Sequence, residues 1–271
     1  MPGFQSLPPE ILLWIYHSLD SIADAYFLAQ SCKHAYHVFG RSQDQLKIFE
    51  SIISNAIRGA TPSQSWLEIQ FGAGSLWQPK ESDLPAALTE KLSREFLLNV
   101  GFPSIKLCRA GFESVHLSKY ADEGKKLHEF DSDDLYGRRV PENPQPPPTN
   151  FSFHFGDMDN YMVMLDNESG LVSLYDPDGW DHAKGYLGRV AFSLDNLAVL
   201  LGMVAAVTKD LREPPSDDVT WEEMERRVEI LKRPLDILRK KLEEYDDCIH
   251  DDSVFWNELF SHLLDDMDIR N

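Results

Sequence analysis

The spacing of hydrophobic positions changes twice along this chain, and each change marks a different kind of structure. Over residues 4–58 the apolar positions recur at helical spacing. Ile11, Ile15 and Leu19 stand four apart with Leu12 and Tyr16 beside them, so one face is apolar. Pro8-Pro9 sits where a helix can start without those N–H groups. A second short helix is expected over 22–30 and a third from residue 33, with Tyr36, Val38 and Phe39. A fourth is expected over 43–57, with Leu46, Phe49, Ile53 and Ile57 on one side. Gly, Pro and Ser interrupt residues 61–85, which read as loop with a short strand. Residues 84–100 return to helical spacing.

Residues 138–150 carry five prolines between Pro141 and Pro148 and read as an extended, polyproline-like loop. After them the period becomes two. Phe151, Phe153 and Phe155 alternate with Ser152 and His154, and two β-rich runs follow at 161–165 and 171–175. Asp166-Asn167-Glu168-Ser169-Gly170 between those runs is a turn sequence, so they should pair as an antiparallel hairpin. Asp176-Pro177-Asp178-Gly179 is a second turn signal. Residues 192–208 form an apolar helix that Ser193 can cap. An acidic helical hairpin over 221–246 and 254–268 finishes the chain, bent or interrupted near Pro234. The pattern predicts an α+β fold: a small helical module over 1–58, an antiparallel sheet flanked by helices over 59–212, and an acidic helical extension over 213–271.

Composition narrows the function. Of 271 residues 42% are hydrophobic, enough apolar material to fill a core. The formal net charge of −19 argues against nucleic acid and against an anionic membrane surface, because both demand Lys/Arg patches. Residues 213–271 hold 18 Asp/Glu against 8 Lys/Arg, about half of that net charge. As a solvated helical face this needs no further role; as a docking surface it would steer basic partners. Cys32, Cys108 and Cys248 lie far apart without a CxxC, which suits free thiols in a reducing compartment. No signal sequence opens the chain, and its longest apolar run, 197–207, is shorter than the roughly 20 residues a membrane span requires. A cytoplasmic or nuclear protein is expected.

Two resemblances sharpen these expectations. Leu7-Pro8-Pro9-Glu10-Ile11-Leu12, Ile15, Leu19, Leu28, Cys32-Lys33 and Phe39 resemble, in order and spacing, the F-box, a three-helix module. That resemblance implies a substrate-receptor subunit. Its Leu7, Pro8, Ile11, Leu12, Ile15, Leu19, Leu28 and Cys32 would dock a Skp-type adaptor of a cullin–RING ubiquitin ligase. So small a cluster is also short of interior for all these side chains. The competing reading is a helical cap whose leucines are all buried internally. Further on, Phe96 to Pro103 (FLLNVGFP) is similar to the entry of the SUKH (Smi/Knr-like) superfamily. The similarity continues through Phe153, Phe155-Gly156-Asp157, Asp166, Ser169-Gly170-Leu171-Val172, Asp176 to Gly179 and Phe192-Ser193-Leu194. It covers about residues 84–212 and implies a curved antiparallel sheet and a protein-binding role without catalysis.

Candidate chemistry is sparse. Asp157, Asp159, Asp176, Asp178, Asp181 and His182 suggest a metal, but an EF-hand loop starting at Asp176 would place Leu187 where its last acidic ligand belongs. Turn formation accounts for these residues better. No Gly-x-Ser-x-Gly, phosphate-binding Gly-rich loop or His-Glu-x-x-His is present. The expectation is a non-catalytic chain with no cofactor and no metal. Tyr175, Trp180 and Tyr186 are either core or an exposed patch around the hairpin that holds a protein target, and Trp180 is the favoured exposed anchor. Two functional readings remain: an adaptor with both surfaces, or a stand-alone SUKH-like immunity or scaffold domain with a structural N-terminus.

Overall fold

The computed structural model describes residues 7–131, 151–176, 185–211, 221–250 and 252–266. The Pro-rich stretch at 138–150 and the turn at 177–179 lie outside them. The chain divides into two units. One draws on residues 1–60, 203–242 and 263–271, the other on 61–202 and 243–262.

The first unit opens with four helices: α1 (Pro9–Ser18), α2 (Ile22–Ser31), α3 (Lys33–Phe39) and α4 (Ser42–Ala56). Their ends are held by side chains. Ser21 Oγ accepts from the Asp24 N–H at 3.2 Å, and Cys32 Sγ accepts from the Ala35 N–H at 3.4 Å. Asn55 Nδ2 donates to the His17 and Leu19 carbonyls at 2.9 and 2.8 Å, pairing two acceptors that the end of α1 leaves without helical partners. The core of this cluster is aromatic. Tyr26 and Phe49 meet Phe39 with ring centroids 5.0 and 5.7 Å apart, and Tyr16 lies on it at 5.5 Å with its hydroxyl bonded to the Ala35 carbonyl.

Residues 203–242 complete this unit. They include the end of α8 (Leu194–Thr208), whose positions are buried from Leu197 to Thr208, the mark of a helix inside a core. They also include most of α9 (Trp221–Tyr245). α9 runs through Pro234 without the interruption that was one of the two expectations there. A proline there has no N–H for the carbonyl four residues earlier, that of Ile230. The Tyr26 hydroxyl donates to that carbonyl at 3.3 Å instead.

The second unit is built on an antiparallel sheet. In chain order its elements are α5 (Gln64–Phe71), β1 (Leu76–Trp77), α6 (Lys91–Asn99), β2 (Phe102–Pro103), β3 (Lys106–Leu107), β4 (Phe112–Glu113) and α7 (His116–Asp122). Then come β5 (Glu129–Asp131), β6 (Phe151–Met158), β7 (Tyr161–Asp166), β8 (Val172–Asp176) and β9 (Gly185–Ala191), with α10 (Val254–Asp266) contributing its residues 254–262. The main sheet runs β3-β4-β6-β7-β8-β9, and β5 pairs with the start of β6 on the side that β4 uses at its end. Between the two pairings the register of β6 shifts at His154–Gly156. Gly156 is required there, because a Cβ would lie 2.5 Å from the Phe112 ring.

The expected hairpin is present. Asp166 Oδ1 accepts from the N–H groups of Glu168 and Ser169 at 2.8 and 3.0 Å, an Asx turn that sets the register of β7 on β8. The expected Ser193 cap is also present, with Ser193 Oγ 3.3 Å from the Asn196 N–H. Two segments depart from expectation. Residues 64–71, read as loop, are helix α5, capped by Ser63 Oγ on the Trp66 N–H. The helix expected over 84–100 begins only at Lys91. Glu90 caps it, and Asn167 Oδ1 accepts from the Thr89 and Glu90 N–H groups at 2.7 and 3.2 Å, holding the preceding residues out of the helix. Among the described residues no helix is long and apolar enough to cross a membrane.

Candidate functional site

β9 ends the strand order of the main sheet, and the aromatics Tyr186 on it and Phe192 just after it are exposed. Tyr186 stands opposite Tyr175 in the β8–β9 register, and the two rings meet edge to face at 5.8 Å. Tyr175 is only 3% exposed and fills the sheet's core, so it is not a surface anchor. Tyr186 above it is 45% exposed. Trp180 lies outside the described residues. Further along, the Arg189 guanidinium sits 5.9 Å from the centroid of Phe192, which is 41% exposed. Tyr and Arg are side chains that concentrate binding energy at interfaces, and Phe is enriched there too.

The chain closes the far end of this edge itself. The Trp256 indole N–H donates to the Val190 carbonyl at 2.9 Å, and Asp246 Oδ2 accepts from the Phe192 N–H at 3.0 Å. The same carboxylate takes the Asn196 amide at 2.9 Å, so a buried Asp246 locks the start of α8 beside Phe192. The strip is thus presented on a rigid frame. Arg189 and Phe192 were not expected from sequence, because a Phe just before a helix cap reads as a staple onto that helix.

The predicted adaptor-binding residues separate in the first unit. Leu12 is fully buried beside Tyr16 and belongs to the core, which removes it from any docking surface. Leu7, Ile15, Leu19, Leu28 and Cys32 are half-buried and Pro8 is exposed. Ile11 is 43% exposed, and Trp14, which was outside the predicted set, is 76% exposed. Cys32 lines a cleft of about 1060 Å³ with Ala29, His34 and Tyr36, and His34 Nε2 lies 3.0 Å from the Leu7 carbonyl.

Three groups of titratable side chains stand out among the described residues. His116, His154 and Asp157 have ligand-type atoms within 4.8 Å of one another, as do Asp159, Glu258 and His262, and Asp246, Asp247 and Cys248. In the first, His154 Nε2 is 2.9 Å from Asp157 Oδ1 and the His116 and His154 rings stack with centroids 4.4 Å apart. Burial and the neighbouring His154 push the His116 imidazole down to about 4, so it is neutral near pH 7. In the third, burial and then the Asp246 carboxylate push the Cys248 thiol up to about 12, which makes it a poor nucleophile.

A family model described as SUKH-4 immunity protein matches residues 63–262, nearly the whole of the β-sheet region and its flanking helices. This chain belongs to the SUKH-4 immunity protein family. Searches of curated proteins and of solved structures returned no match. The SUKH-4 match begins at residue 63, so α1–α4 precede it, while the Tyr186–Phe192 strip and all three titratable groups fall inside it. Its bounds are wider than the 84–212 over which the sequence resembles the superfamily. The resembling FLLNVGFP segment is the end of α6, the Val100-Gly101 turn and the whole of β2. Gly101 there adopts φ 92 and passes so close to β1 that a Cβ would lie 2.8 Å from the Trp77 carbonyl oxygen.

Proposed function

We propose that this SUKH-4 chain works by holding a partner protein and does not transform a substrate. Its membership of an immunity-protein family over residues 63–262 carries this reading. The aromatic strip of Tyr186, Arg189 and Phe192 supplies the contact surface. An immunity function is a binding function, and two partly exposed aromatics with a guanidinium beside one of them suit it. Affinity capture from cell extract provides the test, comparing the wild-type chain with Tyr186→Ala/Phe192→Ala. Both side chains are exposed, so the fold survives their truncation. A protein recovered by the wild type and lost by the variant supports the proposal, and identical recovery by both refutes it.

A second reading concerns the N-terminal helices, and it rests on the exposure of Ile11 and Trp14 on α1. Apolar side chains left in water on a small helical cluster favour a second docking surface, and the F-box resemblance would make a Skp-type adaptor its occupant. Mixing the chain with a purified Skp-type adaptor tests this. Binding that disappears in Ile11→Asp/Trp14→Ala supports it, whereas no binding by the wild type leaves α1–α4 as a structural element of the first unit.

A further inference from the structure

We propose that His116, His154 and Asp157 form a binding site for one divalent transition-metal ion of the Zn²⁺ class. The three residues come from two elements. His116 begins α7, while His154 and Asp157 flank the register shift in β6, where β5 pairing has ended and β4 pairing begins. Tetrahedral Zn²⁺ with bonds of 2.0–2.1 Å holds its ligand atoms about 3.3 Å apart. His154 Nε2 is 2.9 Å from Asp157 Oδ1, His116 Nδ1 is 4.0 Å from the other carboxylate oxygen, Oδ2, and one ligand atom from each residue lies within 4.8 Å of the others, so small side-chain shifts reach this spacing.

The outer shell is also in place. With Nδ1 turned to the ion, the other ring nitrogen of His116 has the His154 carbonyl at 3.4 Å, the kind of second partner that metal-binding histidines use to fix their tautomer. Tyr120 packs edge-on against His116 with centroids 5.4 Å apart, so the imidazole is held from its outer side as well. Two imidazoles and one carboxylate leave the fourth position to water, and this donor set suits zinc, copper or nickel better than calcium or magnesium.

Binding has a structural consequence. The two rings stand parallel, 6° apart, so a single ion cannot lie in both ring planes. Coordination therefore turns one ring and opens the stack. The ion then ties the start of α7 to β6 across 38 residues of chain.

The test uses the full chain freed of metal and titrated with Zn²⁺ alone. One equivalent should bind with a dissociation constant in the micromolar range or tighter, and X-ray absorption should show two imidazole nitrogens and carboxylate oxygen. His116→Gln and Asp157→Asn each should weaken binding at least about tenfold, and the melting temperature should rise more with Zn²⁺ in the wild type than in either of these variants. Glu258→Gln/His262→Gln, which disables the exposed neighbouring cluster, should leave binding unchanged. Binding weaker than millimolar, an all-oxygen shell, or loss of binding in Glu258→Gln/His262→Gln with retention in His116→Gln would overturn the proposal. The wild-type absorption spectrum decides the matter even if one variant misfolds.

Discussion

Replacing Tyr26 with Phe removes one oxygen atom and should expose the arrangement that lets α9 pass through Pro234. In an uninterrupted helix the Ile230 carbonyl would accept from the N–H of residue 234, which proline lacks. The Tyr26 hydroxyl fills that vacancy at 3.3 Å, and burial raises its pKa well above the ordinary tyrosine value, so it stays a donor at all usable pH. Leaving a sheltered acceptor unpaired costs about 1–3 kcal/mol. The bond is long and both residues are half-buried, which places the expected loss at the low end, about 1 kcal/mol. Pro234→Ala supplies the missing N–H. In that background Tyr26→Phe should cost less than about 0.5 kcal/mol, and the difference between the two costs is the coupling energy of a double-mutant cycle. Because the chain has two units, global melting can mix their transitions. Hydrogen exchange at buried amides of α2 and α4 reads the first unit alone. Equal costs of Tyr26→Phe with Pro234 and with Ala at that position would refute the pairing.

Three further outcomes follow from the second unit. Glu90→Ala should cost about 1 kcal/mol at pH 7, since the Glu90 carboxylate caps α6 through the Leu92 and Ser93 N–H groups. Burial opposes the Glu90 charge, but the bonds from Ser93, Leu92 and Lys91 outweigh it and hold its carboxyl below the ordinary value of 4.5; the stabilisation is therefore complete above pH 4.5, and urea titrations should show it vanish as pH falls through the lowered value. Iodoacetamide at pH 8 should leave Cys248 unlabelled in the native chain and label it in urea, because a thiol titrating near 12 is about one ten-thousandth thiolate at that pH; peptide mass spectrometry reads this, and native labelling at a free-thiol rate contradicts it. Gly156→Ala should destabilise the sheet by about 1–3 kcal/mol through overlap with the Phe112 ring, and an unchanged denaturation midpoint would refute the register described for β4 on β6.

Much of this fold is legible in the sequence wherever a local signal and a tertiary one agree. The Asp166–Gly170 turn forms its bonds within five residues, so the hairpin it closes can be read directly. The apolar run of α8 is legible for the same reason, with Ser193 as its cap. Helix α5 was hidden because Gly, Pro and Ser flank it on both sides, and only the Ser63 cap marks its start. Residues 84–90 keep helical spacing but are bound elsewhere by Asn167, 77 or more residues away, a contact that no window over those residues contains. The candidate surfaces were legible by composition and not by position. Periodicity placed Leu12 and Ile11 side by side, yet the roughly 100° between successive residues of α1 sends one into the core and the other into water. The pairing of His116 with His154 depends on strand register across 38 residues and left no trace in the spacing of either.

The face carrying Tyr186 should meet a partner protein. A photo-crosslinking amino acid placed at position 186 of the full chain, irradiated in cells and compared with the same group at exposed Leu92, measures this most directly. One discrete adduct is expected from position 186, absent from position 92 and abolished when Phe192→Ala is added. Adducts of equal yield from both positions, or none from position 186, would contradict it.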